Sequence, residues 1–280
     1  MIEKIKMLTL RALVSDEKLM YGLVLKGGNA LQLVYEMTDR ASLDIDFSMS
    51  GDFTENEFLS LKANLYAILN AEFEKAGLLV FDIEFIEKPK QNAVQVWKGY
   101  QLLFKIIDAD KFDPANMNET RKYAYKIYDN NSTKFIVEIS SYEYTESKKK
   151  VDVDGAILYV YTPEMIVFEK IRALCQSMPE YQEVVPTARV KGRARDFYDI
   201  WNICRKFDID FESEENRQML SNIFNAKRVP LKFLDLLESH KDLQLQNWES
   251  VAATIPVDHN KGFDFFFNFV MEKIKLIKNH

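Results

Sequence analysis

The chain has 280 residues, with 37 Lys and Arg against 43 Asp and Glu, a formal charge of −6. Apolar residues make up 47% and charged residues 29%, the balance of a folded protein and not of a disordered acidic tail or a collagen-like fibre. The acidic balance excludes a globally cationic nucleic-acid coat and leaves room for a local basic groove.

No apolar run reaches the roughly 18 residues that a membrane span needs. The opening Met1-Ile-Glu-Lys-Ile-Lys has no apolar core of the secretory kind. A cytoplasmic protein without a membrane segment is therefore expected. Cys175 and Cys204 lie far apart in apolar sequence and read as small buried hydrophobes. The three histidines, His240, His259 and His280, lack zinc spacing. Any metal chemistry must rest on carboxylates.

In chain order, residues 2–20 read as a helix. Gly22–Lys26 is a short apolar strand entering the Gly27-Gly28 turn, and Asn29–Met37 a helix for which Asn29 is a good N-cap. Leu43–Met49 alternates as a strand. Thr54 and Glu57 form a capping-box pair for a helix to about Ala76, stopped by Gly77. Strands are predicted over 78–86, 93–107 (Gly99 a candidate bulge), 134–142 and 152–161. Beyond Pro163 the pattern is helical: 164–177, 194–206, 213–224, 230–238 and 263–278. The expected organisation is a mixed α/β domain over 1–162 and a helical domain over 163–280.

The chemistry-bearing segment is 21–48. Asp44 and Asp46 are two apart on a predicted strand, where alternate residues share a face. Two adjacent carboxylates repel unless a cation joins them, and a Mg²⁺ pair suits in-line nucleotidyl transfer. The Gly-Gly turn lets backbone N–H groups approach a triphosphate. Either feature alone is commonplace; their order and spacing give them weight. There is no Walker A lysine, and the segment is not a Rossmann fingerprint.

Lys26-Gly-Gly-Asn-Ala-Leu31 with Arg40-Ala-Ser-Leu-Asp-Ile-Asp-Phe47 resembles the core of the AbiEii/AbiGii toxin family. Phe168-Glu-Lys-Ile-Arg-Ala-Leu174 resembles that family's Lys-bearing helix, and Arg193-Ala-Arg-Asp-Phe-Tyr-Asp-Ile200 its later Arg-Asp motif. The resemblance implies an α+β, polymerase-β-like nucleotidyltransferase domain followed by a mainly helical domain. It also implies Mg²⁺-dependent transfer from a nucleoside triphosphate to an RNA acceptor, tRNA above all, by the toxin of an abortive-infection or toxin–antitoxin pair. On this basis Asp44 and Asp46 hold the metals, Gly27 and Gly28 hold the triphosphate, Lys170 meets phosphate and Asp196 is the late acid. Lys26, Asn29, Arg40, Ser42, Arg172 and Arg195 are expected on the nucleotide. Asn29 stands where the family often has Ser or Thr.

The fold also calls for a third carboxylate. Glu138, alone in Phe-Ile-Val-Glu-Ile, is the candidate metal ligand or general base; the other reading places it toward solvent. Asp196 and Asp199 share a helical face and either orient Lys170 or Arg195 or hold a base edge; the other reading of Asp196 is an ordinary helix-start acid. Residues 187–206 hold six basic side chains against two acids, and Lys148–Lys150 add a cluster expected on a hairpin loop. These favour an RNA acceptor over a protein or small-molecule hydroxyl, although the lysines also suit an edge strand that must stay soluble. The intact glycines and acids disfavour a vestigial, merely binding protein. Segment 179–193 is expected to be a mobile loop over the cleft. The aromatic run from Phe263 to Met271 reads as a core helix or, more sharply, as a partner surface.

Overall fold

The computed structural model describes residues 1–37, 44–89, 94–128 and 131–278. Arg40 and Ser42 lie outside them. Two compact units are present, the first ending at Val160 and the second running from Tyr161.

The first unit opens with α1 (Ile2–Val14) and α2 (Glu17–Gly22), the latter capped by Asp16 on the Leu19 amide. Then come β1 (Val24–Leu25), α3 (Gly27–Leu33) and β2 (Ile45–Ser48). Helix α4 (Glu55–Phe73) starts on the reciprocal Thr54–Glu57 capping box, and Gly77, at φ +72°, closes the turn behind it. Strands β3 (Leu78–Lys88) and β4 (Gly99–Asp108) follow, then the short α5 (Met117–Lys122). The unit ends with β5 (Phe135–Ser140), β6 (Lys149–Val153) and β7 (Ala156–Val160).

The seven strands form one mixed sheet in the order β3-β4-β5-β2-β1-β7-β6. At its centre β2 lies parallel to β5 and antiparallel to β1. Its Ile45 and Phe47 are buried, as are Val137 and Ile139 on β5. Asp46 and Glu138 alternate out of that core, as the pleat requires.

Three local expectations change. The bulge is not at Gly99 but in β3, where the register shifts between Phe81 and Glu84 and Asp82 takes φ +49°. Gly99 answers a close approach instead, since a Cβ there would lie 2.3 Å from the Ile139 carbonyl oxygen. The predicted strand 152–161 is a hairpin turning at Asp154-Gly155, both at positive φ. Lys149 and Lys150 consequently belong to edge strand β6 and not to a hairpin loop, which fits the solubility role. Lys148 lies 4.3 Å over the Tyr159 ring and donates to the Tyr21 carbonyl.

In the second unit Thr162 caps α6 (Pro163–Gln176) with proline in the first turn, where its missing N–H costs nothing. Helices α7 (Ala194–Lys206), α8 (Glu214–Ala226), α9 (Lys241–Leu245), α10 (Trp248–Ala252) and α11 (Phe263–Lys278) complete it. Helix α6 packs on α7 and α8, and α11 on α7. The predicted helix 230–238 is instead two 3₁₀ turns, Leu231–Asp235 and Leu237–His240.

The aromatic run of α11 is core. Phe263, Phe266, Phe267 and Met271 are buried, with Phe197 stacked on Phe267 at 5.3 Å, and only Phe265 reaches the surface substantially. The partner-surface reading therefore falls away. Segment 179–193 is pinned rather than mobile. Tyr181 is fully buried and donates to the Lys227 carbonyl at 2.8 Å, and the Arg193 amide donates to Gln244 at 3.1 Å. A Cβ on Gly192 would meet the Leu243 carbonyl oxygen at 2.4 Å. No helix among the described residues is long and apolar enough to cross a membrane.

Candidate active site

The strand–turn–helix–strand segment brings the glycine turn onto an acid. Gly27 takes φ +63°, and the amide of Lys26 donates to the Asp46 carbonyl at 3.0 Å. A Cβ on Gly27 would lie 3.1 Å from Asp46 Oδ2, so a side chain there would crowd the carboxylate. Asp46 is in parallel register with Glu138, and Gly27 thus lies beside a two-acid row. The row continues on β4, where Gln101, paired with Glu138, donates to Glu138 Oε1 at 3.1 Å.

Asp44 lies just before β2 and is held by two side chains. Tyr128 donates its hydroxyl to Asp44 Oδ1, and Asn29 donates its amide to the Asp44 carbonyl. Burial first, then the Asp44 carboxylate, push the Tyr128 phenol well up, so it remains a donor. Asn29 is not the expected N-cap. Helix α3 starts two residues earlier, at Gly27, which leaves Asn29 fully buried inside it. Its Oδ1 meets no donor among the described residues. Lys26, expected on the nucleotide, places its ammonium 3.4 Å from Ser140 Oγ and 3.7 Å from Glu143. Gly28 is buried in the first turn of α3.

The remaining predicted residues form a charge cluster within the second unit. Lys170 bonds Asp196 at 2.8 Å and Asp199 at 2.7 Å. Arg193 bonds the other oxygen of Asp196, and Arg195 bonds Asp199 at 3.0 Å. Burial raises the Asp196 pKa, but Arg193 and Lys170 outweigh it and hold the carboxyl well below the ordinary range. Both acids bond Lys170 and Asp199 also bonds Arg195, while Asp196 sits in the first turn of α7 as a helix-start acid does. Arg172 is buried against Gln176 (2.7 Å) and Glu169 (3.4 Å). The basic run is thereby cut from six to four as a surface: Arg193 and Arg195 are engaged by the acids, while Arg189, Lys191, Arg205 and Lys206 are exposed.

Sequence reading missed Tyr128 and Gln101. Tyr128 sits in a stretch with no legible pattern. Gln101 could have been found as the partner of Glu138 only once the strand register was known.

Among the described residues no three His, Cys, Asp or Glu side chains converge as a metal cage. The donor set nevertheless fits Mg²⁺, which normally takes only one or two protein carboxylates and completes its shell with substrate phosphate and water. The open cradle at Gly27 and the unsatisfied Asn29 Oδ1, both beside the acids, suit a site completed by its substrate.

A mixed sheet carrying a glycine turn against paired strand acids defines a nucleotidyltransferase. The chain belongs to the AbiEii family: residues 9–268 match the model described as "Nucleotidyl transferase AbiEii toxin, Type IV TA system". It is thus a nucleotidyltransferase enzyme of the toxin class, with a nucleotide substrate and an antitoxin partner implied by that membership. Among solved structures it is similar to JHP933 from Helicobacter pylori, at 16% identity and a TM-score of 0.50 over 99% of this chain and 90% of that one. A nucleotidyltransferase candidate from H. pylori matches at 15% identity and TM-score 0.49, covering 99% and 93%. An antigenic nucleotidyltransferase-like protein from Paracoccidioides brasiliensis matches at 17% and 0.35, covering 84% and 91%. No curated protein matches the chain.

Proposed function

We propose that the protein transfers a nucleotidyl group from a nucleoside triphosphate to an RNA hydroxyl, with tRNA as the acceptor class and Mg²⁺ as the cation. The single observation that carries this is the in-register pair Asp46 and Glu138 beside the side-chain-free Gly27. Asp44 and Asp46 would hold the cation, which when bound neutralises charge building on the phosphate oxygens, and Glu138 is left for the proton.

The chain's own residues supply the rest. Gly27, with Gly28 behind it in the first turn of α3, leaves room for the triphosphate to approach the backbone. Glu138, oriented by Gln101, accepts the proton of the attacking hydroxyl as its oxygen bonds the α-phosphorus and pyrophosphate departs. Lys170, Arg193 and Arg195 against Asp196 and Asp199 leave that cluster one positive charge in excess, which favours phosphate there. The exposed Arg189, Lys191, Arg205 and Lys206 support a polyanionic acceptor.

The test incubates the protein with each labelled triphosphate, Mg²⁺ and total RNA, beside Asp44→Ala and Asp46→Ala. Label on tRNA that both variants abolish is the expected result. Label on protein or small molecules would replace the acceptor, and label insensitive to both variants would remove the assigned site.

A further inference from the structure

We infer that Tyr128 and Asn29 are positioning residues that clamp Asp44 at two points, its carboxylate and its backbone carbonyl, so that the acid is set for a cation before any nucleotide arrives. This rests on the metal role proposed for Asp44. Asp44 precedes β2, so its backbone lacks the full ladder that fixes Asp46. Two side-chain bonds, from Tyr128 to Oδ1 and from Asn29 to the carbonyl, hold Asp44 at both ends.

Both clamping groups are themselves anchored. Asn29 is fully buried in α3. Tyr128 ends a segment tied down by the Tyr125 amide on the Ile106 carbonyl and the Ile127 amide on the Ser132 carbonyl, each at 2.8 Å. Hydrogen bonds to a ligating carboxylate fix its orientation, and their removal typically costs about 10–100-fold in metal affinity.

The experiment titrates Mn²⁺ into the full chain with a non-hydrolysable triphosphate analogue, following free Mn²⁺ by electron paramagnetic resonance. Wild type, Tyr128→Phe, Asn29→Ala and Asp44→Asn are compared, with circular dichroism confirming folding. Tyr128→Phe removes one oxygen and is expected to weaken Mn²⁺ binding about 10–100-fold, with transfer recovering at saturating Mn²⁺. Asn29→Ala is expected to weaken binding in the same direction and covers the case in which Tyr128→Phe misfolds. Unchanged or tighter binding in a folded Tyr128→Phe, with Asp44→Asn impaired, overturns the clamp alone. Binding that Asp44→Asn leaves intact overturns the metal role of Asp44 and the clamp with it.

Discussion

Substituting Gly27 by Ala puts two effects on one residue, and Gly77 separates them. Gly27 and Gly77 hold similar left-handed backbone, φ +63° and +72°. An L-residue there costs about 1–2 kcal/mol, so both Gly27→Ala and Gly77→Ala should lower the unfolding free energy of the first unit by that amount. Their surroundings differ. A Cβ at 77 meets nothing within 4 Å, whereas at 27 it lies 3.1 Å from Asp46 Oδ2, tight enough that the carboxylate must shift by a few tenths of an ångström. Misplacement of a reacting group by about 1 Å can cost 100-fold in rate, so a shift of this size should lower transfer by about 10-fold. Urea denaturation measures the first effect and single-turnover transfer the second. Gly77→Ala should lose stability and keep its rate; Gly27→Ala should lose both. Equal rates in the two variants would refute the idea that the bare turn exists to leave Asp46 uncrowded.

The other predictions concern stability and reactivity. Asn70, buried on α4, accepts from the Val80 amide at 2.7 Å and donates to its carbonyl at 3.1 Å. Asn70→Ala orphans both groups and should cost about 2–4 kcal/mol by urea denaturation. In the second unit, Asp196→Ala should cost about 3–5 kcal/mol by leaving Lys170 and Arg193 short of a buried counter-charge. The pH dependence follows from the depressed Asp196 pKa: its stabilisation is fully present above the unfolded value of about 3.9 and is lost as pH falls toward the lower folded value. Denaturation midpoints of that unit should therefore hold from pH 5 to 7 and fall below about 4, and Asp196→Asn should flatten that fall. Burial pushes the Cys204 thiol up to about 12 and the fully buried Cys175 higher still. Neither should react with a disulfide reagent at pH 8 until urea is added.

Elements with local signals were legible in the sequence. The Thr54–Glu57 box, the Gly77 stop and the span 194–206 all depend on residues within a few positions of one another. The acids were legible for the same reason, because Asp44 and Asp46 follow the glycine turn within one short helix. Long-range pairing was not. Gly99 reads as a bulge until Ile139 is known to lie against it, and the Asp154-Gly155 turn is hidden in an otherwise continuous β pattern. Segment 179–193 has a loop's composition, yet Tyr181 and Gly192 find partners near 227 and 243, which no window on the sequence could supply. Likewise, a helix rich in Arg and Asp cannot show from its letters which charges answer each other; Lys170, from a different helix, decides that.

The central pairing of β2 with β5 joins residues almost a hundred positions apart, Asp46 to Glu138. A polypeptide still emerging from the ribosome, and halted anywhere between Ser48 and Phe135, would carry the bend and its first two acids but have no neighbouring strand to complete the row. Assembly of that row therefore waits until the chain has been made past Glu138.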